Sequence, residues 1–235
     1  MSLVARKKIV FVIVEGPSDN MALGVILNRI YDRETVHVEI MHCDITADDK
    51  VTPSNIISKI GRVVINHEKQ NRLKKSDYKE IIHIVDMDGA YIPNSSVVED
   101  LSASDPFYSV TEIHTQDKQG IEARNSRKRD NIDKICSFKY IRGTPYRVFY
   151  MSCNLDHVLY NKLNSCNKEK ETDAYSFAQK YKNNISEFLK FISESDFSVV
   201  TGYDESWKFI KEDLHSLGRY TNLGLCFQNN DHNDD

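Results

Sequence analysis

The sequence predicts an α/β protein with a central, mostly parallel sheet flanked by helices and a helical C-terminal region. Two continuous apolar runs, at 8–14 and 81–85, are typical of strands buried on both faces. A third strand, with alternating apolar residues, is predicted between them at 36–42. On each side of it lies a segment whose apolar residues have helical spacing. The chain has 235 residues, 40% of them hydrophobic, which is enough to bury a substantial core.

The first strand and helix are predicted from a short N-terminal stretch. Residues 8–14, KIVFVIV, are followed by EGPSD and then by apolar residues at helical spacing in DNMALGVILNRIYD. Ser18 is the expected N-cap of this helix. Residues 36–42, VHVEIMH, then alternate as a strand does.

The second helix and third strand complete a repeating unit. Residues 52–73 place isoleucines and valines on one helical face, and 81–85 form an apolar strand that ends on DMDG. The order β-α-β-α-β is the pattern of a parallel sheet with right-handed crossover connections.

The later chain is less regular. The predicted parallel domain covers 5–165, with an insertion or long loop at about 93–145 in which the pattern allows a helix near 122–137. A helical extension over 166–227 and a disordered acidic tail over 228–235 are expected to follow. The individual elements expected here are a fourth strand at 146–151 and helices at about 155–164, 173–193 and 204–217.

Charge is distributed unevenly. The chain has 35 acidic and 31 basic residues, so net charge gives no general signal for nucleic-acid binding. Residues 118–147, however, hold nine basic and three acidic side chains. A phosphate-contacting arm and an ordinary solvated loop are both open readings of this stretch. For the first reading, the predicted nucleic-acid contacts are Arg124, Arg127, Lys128, Arg129 and Arg142.

The N-terminal sequence and the cysteine spacing indicate in which cellular compartment the protein is expected. MSLVARKK is not followed by the apolar run and cleavage site of a signal peptide, and no eighteen consecutive residues are apolar. The five cysteines are widely spaced and contain no CxxC pair. We therefore expect a cytoplasmic protein with reduced thiols and no membrane partner.

Four acids are expected to meet at one edge of the sheet. Glu15 follows the first strand, Asp86 and Asp88 follow the third, and Asp19 lies in the first turn of the helix after Glu15. Carboxyl ends of parallel strands share one edge, and clustered carboxylates repel unless a cation lies between them. Oxygen ligands suit Mg²⁺ or Mn²⁺, and two such ions can promote phosphodiester cleavage. Asp44, after the second strand, is a candidate outer partner or simply a turn residue.

The segments VIVEGPSD and IIHIVDMDG together resemble the Toprim domain. That domain occurs in topoisomerases, bacterial primases and several nucleases, and the form E-G-x-x-D is especially similar to OLD-like and RloB-like nucleases of phage defence. The resemblance covers about 8–92, and more loosely 146–165. It implies a Toprim-like fold and a metal-dependent nuclease acting on DNA or RNA.

The resemblance also implies roles for particular residues. Asp86 and Asp88, with Glu15, are expected to hold one ion, while Asp19 and Glu15 share a second and Glu15 serves as a general base or acid. In YMSCNLDHVLYN, Ser152, Asn154 and Asp156 take the places of a further acidic motif, with Asp156 as the candidate ligand. The lysine expected to contact the scissile phosphate is one of Lys162, Lys170 and Lys180.

Two other functions remain open. The run IIHIVDMDGAYI also resembles HAD phosphatases, in which Asp86 is the nucleophile, but that motif normally opens its domain and leaves E-G-x-x-D unexplained. A non-catalytic Toprim-like binding module is the other alternative. The chain lacks G-x-x-x-x-G-K-[ST], so a defence role implies a separate ATPase partner besides nucleic acid. A homo-oligomer is also compatible with the sequence.

Overall fold

The computed structural model describes residues 7–31 and 36–228. Within them, a five-stranded sheet has the order β2-β1-β3-β8-β7, and a second sheet has the order β4-β6-β5. The strands are β1 (Lys8–Val14), β2 (Val36–His42), β3 (Tyr78–Asp86), β4 (Val97–Glu99), β5 (Phe107–Tyr108), β6 (Ile113–Thr115), β7 (Tyr140–Ile141) and β8 (Thr144–Met151). The helices are α1 (Pro17–Ile30), α2 (Ile56–Asn71), α3 (Lys118–Cys136), α4 (Leu155–Tyr160), α5 (Asn167–Tyr181), α6 (Ile185–Glu194) and α7 (Tyr203–Lys211).

The main sheet is parallel except for its β7 edge, which confirms the predicted α/β class. Strands β2, β1, β3 and β8 therefore all end at the same edge. Asp86, the last residue of β3, pairs with Met151, the last of β8. Ile13 pairs with His83, so extending this register by two residues sets Glu15 level with Val85.

Alternate residues of the strands pack on opposite faces of the sheet. One face of β1, with Val10, Val12 and Val14, packs with α1, α4, α5 and α6. The other face, with Phe11 and Ile13, packs with α2, α3 and α7. Both faces are buried, which explains why β1 and β3 read as continuous apolar runs. The C-terminal helices share these two cores with the strands.

Several predicted helix boundaries were wrong. The helices expected at 155–164 and 204–217 end earlier, at Tyr160 and Lys211. Two further differences have local reasons. The expected helix at 173–193 is two helices, α5 and α6, separated at Lys182–Asn184. Asparagine is a poor helix former that favours such ends, and Asn184 has non-helical backbone angles. At α1 the N-cap is Gly16 rather than Ser18, because Pro17 occupies the first helical position that suits proline.

The segment between β3 and β8 is an ordered insertion. It contains the small sheet, helix α3 and strand β7. The pattern allowed a helix near 122–137, and α3 begins four residues earlier and ends one residue earlier, at Cys136. The small sheet escaped notice because its strands are two or three residues long, too short to show a period. The predicted tail at 228–235 lies, apart from Gln228, outside the described residues.

Candidate active site

The turn after β3 is held in an unusual conformation. Asp88 has φ of 48° and Gly89 has φ of 71°, both in the left-handed region. The Asp88 amide donates to the Cys153 carbonyl at 2.7 Å, and the Asp88 carbonyl accepts from Arg124 at 2.9 Å. A side chain on Gly89 would meet Leu217 at 2.9 Å. The DMDG sequence therefore builds a fixed turn that presents two carboxylates at the sheet edge.

Glu15 and Asp88 are joined by a lysine from the insertion. The Lys128 ammonium donates to Glu15 Oε2 at 3.0 Å and to Asp88 Oδ2. Lys128 is 0% exposed, and the Glu15 side chain is 9% exposed. The predicted convergence of the acids after β1 and β3 is thus present, with an internal cation between them. Removing one member of such a buried pair typically costs about 3–5 kcal/mol, because the other charge stays buried without a partner.

The four predicted acids differ in their surroundings. Burial raises the pKa of Glu15 to about 8, with the charges of Asp44 and Asp88 adding to the rise. Burial also raises the pKa of Asp86 well above its usual value, reinforced by the charges of Glu15, Asp19 and Asp88. Burial acts to raise the pKa of Asp88 too, but Lys128 and Arg124 outweigh it and hold that pKa below its usual value.

Asp19 has a structural role in α1 and also faces the site. Its carboxylate accepts the Gly16 amide at 2.8 Å, which caps the helix. Burial raises its pKa to about 6, and the charge of Asp156 contributes to the rise. The charge of Asp19 in turn raises the pKa of Asp86, so both carboxylates belong to one electrostatic cluster.

The loosely matched motif after β8 reaches the same region. Asp156 is buried in α4, and its Oδ2 lies 3.2 Å from the Lys170 ammonium. Its Oδ1 atom is buried and has no hydrogen-bond partner within the described part of the chain. Asn154 instead caps α4 by accepting the His157 amide at 2.9 Å. Of the candidate phosphate lysines, Lys170 is the one beside these acids, while Lys162 pairs with Asp173.

A threonine connects Glu15 with Asp44. The Thr46 hydroxyl donates to Glu15 Oε1 at 3.1 Å, and Asp44 Oδ1 lies 3.5 Å from that hydroxyl. Asp44 also accepts the Ala47 amide at 3.1 Å, so it forms the expected turn. Its connection to Glu15 runs through the Thr46 hydroxyl. Sequence reasoning missed Thr46, since nothing in the pattern of a single buried threonine marks such a contact.

The five basic residues predicted to bind nucleic acid do not share one surface. Arg124 donates to Tyr108 Oη and to the Asp88 carbonyl, and Lys128 is enclosed between the acids. Arg127 donates to the Ala47 carbonyl. Arg142 pairs with Glu68 before the start of β8, at the edge of the sheet opposite the acids. The exposed arm expected over this stretch is therefore a packed helix, α3, whose basic residues partly serve the site. Nucleic-acid binding by Arg124, Arg127, Arg129 and Arg142 stays a prediction, whereas Lys128 is fully enclosed.

One signal in the sequence could have identified Lys128. The buried face of α3 runs through Ile121, Asn125, Lys128, Ile132 and Ile135 at spacings of three and four residues. A lysine at a core position of an amphipathic helix requires a buried acid as its partner. Read this way, the helix predicts an ion pair with the acids at the strand ends.

An open groove of about 1100 Å³ adjoins the acids. Asp86, Asp88 and Lys170 line it together with the 100–108 segment of the insertion and the 163–167 segment after α4. Asn164 connects these two segments, because its side chain accepts the Tyr108 amide and donates to the Tyr108 carbonyl, both at 2.8 Å. Phe107, at this rim, is 54% exposed.

The predicted ligands of the site have the chemistry that a divalent cation requires. Every predicted ligand is a carboxylate, which suits Mg²⁺ or Mn²⁺. Among the described residues, nothing hydrogen-bonds the Asp86 carboxylate, although it is partly buried among other acids. The same residues contain no group of three or more histidine, cysteine, aspartate or glutamate side chains arranged to hold one metal ion. The carboxylate donors of the site therefore fit a hard divalent cation.

The fold and site define an α/β protein with a mostly parallel sheet and a carboxylate cluster at the strand ends. Comparison with protein-family models, curated proteins and solved structures found no match for this chain. None of the helices in the described ranges is long and apolar enough to cross a membrane.

Proposed function

We propose that this protein is a metal-dependent phosphodiesterase that cleaves nucleic acid, as its resemblance to Toprim nucleases implies. The observation that carries the proposal is the meeting of Glu15, Asp86 and Asp88 at one sheet edge, beside a groove large enough for several nucleotides. A Mg²⁺ or Mn²⁺ ion at this edge would neutralise phosphate charge and lower the pKa of an attacking water.

Particular residues have distinct parts in this proposal. Asp86 and Asp19 are the carboxylates available to hold a cation. Glu15, whose pKa burial raises to about 8, can serve as a general acid or, in its ionised fraction, as a general base near neutral pH. Lys170 lies at the groove with its ammonium beside Asp156, where it can contact a phosphate oxygen. Phe107 offers an exposed ring on which an unpaired base can stack.

The test is cleavage of labelled single- and double-stranded DNA and RNA by the full chain, with Mg²⁺ or Mn²⁺ and with a chelator. Cleavage should require the ion and should be lost in Asp86→Asn. The control is Asp130→Asn, since Asp130 is an exposed carboxylate of α3 outside the site. No cleavage together with no heat of Mn²⁺ binding at millimolar concentration would overturn the proposal.

The phosphatase alternative is addressed by the same preparations. In the fold, β1 and β2 precede β3 in the chain, so the DxD motif does not open the domain. Hydrolysis of an aryl phosphate with a phosphorylated Asp86, and no cleavage of nucleic acid, would favour that alternative instead. A defence role and a separate ATPase partner remain proposals that rest on the resemblance.

A further inference from the structure

Lys128 occupies a place where the sequence predicts a metal ion. Its ammonium lies between carboxylates that come from two different strand ends, Glu15 after β1 and Asp88 after β3. The side chain is fully enclosed, and α3 holds it there through the apolar residues on either side of it on the same face. A cation of single charge is therefore built into the site by the fold itself.

Two of the predicted ligands lack such a basic partner. No basic side chain in the described ranges hydrogen-bonds Asp86, and Asp19 accepts from Gly16 and Ser18. Asp156, by contrast, is paired with Lys170. The acids thus divide into those already paired with lysine and a remaining pair, Asp19 and Asp86.

A pair of carboxylates is the usual protein contribution to a magnesium site. Mg²⁺ keeps several of its waters and takes one or two carboxylates, with substrate phosphates completing its ligands. A second ion would instead need Glu15 and Asp88, which Lys128 already holds.

We propose that the site binds one divalent cation, at Asp86 and Asp19, and that Lys128 permanently takes the second cationic position between Glu15 and Asp88. This inference rests on the proposed function and replaces the two ions that the sequence predicts with one ion and one ammonium. Lys128 is accordingly a positioning residue, which fixes Glu15 and Asp88 whether or not the ion is bound.

The experiment counts Mn²⁺ bound per chain, with free Mn²⁺ followed by electron paramagnetic resonance during titration of the metal-free full chain. The wild type should bind one ion. Lys128→Met, which keeps the length of the side chain without its charge, should bind two, because Glu15 and Asp88 are released. Lys134→Met, a lysine of α3 that lies over the Phe138 ring, is the matched control and should bind one.

A second pair of variants decides the question even if Lys128→Met fails to fold, which circular dichroism would reveal. Asp88→Asn should still bind one ion, with affinity lowered by about ten- to a hundredfold, as for a group outside the ligand shell. Asp86→Asn should bind none at millimolar Mn²⁺. Loss of the ion in Asp88→Asn, or a folded Lys128→Met that binds one ion, would overturn the inference.

The outcomes separate this inference from the proposed function. Two ions in the wild type would overturn the single-ion site and leave a metal-dependent phosphodiesterase intact. No ion in the wild type would remove the basis of both. One ion in the wild type, two in Lys128→Met and one in Asp88→Asn would support the role of Lys128, irrespective of the substrate that is cleaved.

Discussion

At the residue scale, the carboxylates of the site differ in their partners. Lysines pair with Glu15, Asp88 and Asp156, whereas no side chain in the described ranges hydrogen-bonds the Asp86 carboxylate. Asp88 keeps its pKa low, with burial opposed by Lys128 and Arg124, while Asp86 two residues earlier has its pKa raised by burial and by its acidic neighbours. The same DxD motif therefore presents two unlike carboxylates: Asp88, whose pKa is lowered beside Lys128 and Arg124, and Asp86, whose pKa is raised.

This difference predicts that Asp86→Asn stabilises the metal-free protein at high pH. A raised pKa in the folded state gives stability that is complete below the unfolded pKa and is lost as pH rises. A neutral amide avoids this loss, so the free energy of unfolding at pH 8 with a chelator should rise by about 1 kcal/mol or more. Urea denaturation of wild type, Asp86→Asn and the exposed control Asp130→Asn measures it. A less stable Asp86→Asn would assign Asp86 a structural role.

The site residues that could be predicted from the sequence are those that directly follow a strand. Glu15, Asp86 and Asp88 follow apolar runs, and parallel strands bring their carboxyl ends together. The contact of Lys128 with Glu15 spans 113 positions in the chain, and it depends on how α3 packs over the sheet. Local periodicity carries no information about that packing. The basic stretch was therefore open to interpretation as a phosphate-contacting arm or as a solvated loop, and neither interpretation identified its buried lysine.

At the scale of elements, the insertion between β3 and β8 determines what surrounds the acids. Helix α3 delivers Lys128 from one side, and the small sheet forms a wall of the groove. Asn164 fastens that wall to the segment after α4 by two hydrogen bonds to the Tyr108 backbone. The groove thus has a rim tied across two segments that are far apart in the chain.

The rim predicts a local effect of Asn164→Ala. Both hydrogen bonds are lost, at about 1 kcal/mol each, so the Tyr108 amide should exchange with solvent about tenfold faster or more. Amide hydrogen exchange followed by mass spectrometry measures this, with the sheet core as an internal reference. Asn183→Ala, an exposed asparagine after α5, is the control. Unchanged exchange at Tyr108 would mean that the rim is held by other contacts.

At the scale of the whole molecule, the fold buries three histidines, His67, His83 and His157, and burial lowers the pKa of each. Burial lowers the pKa of His83 to about 3. Burial, with the charge of Arg219, lowers the pKa of His157 to about 4. Neither pattern nor composition separated these histidines from the exposed ones, because their depth depends on the packing of helices on both faces of the sheet.

These histidines predict a specific pH dependence. A depressed pKa gives stability that is complete above the unfolded value of about 6.5 and is lost as pH falls toward the folded value. Relative to His157→Gln, the wild type should lose about 1.4 kcal/mol of unfolding free energy per pH unit between about 6.5 and 4. Urea denaturation at several pH values measures the difference. His42→Gln, at an exposed histidine, should run parallel to the wild type.

The continuity of the insertion has a consequence for how such a protein diversifies. One uninterrupted piece of chain carries both the Lys128 ammonium, which contacts Glu15 and Asp88, and the 100–108 segment, which lines the groove. An exchange of that piece would alter recognition and charge compensation in a single event, with the parallel sheet kept as an unchanged platform. A change in this piece of chain would therefore alter the lining of the groove and the charge balance of the buried acids together.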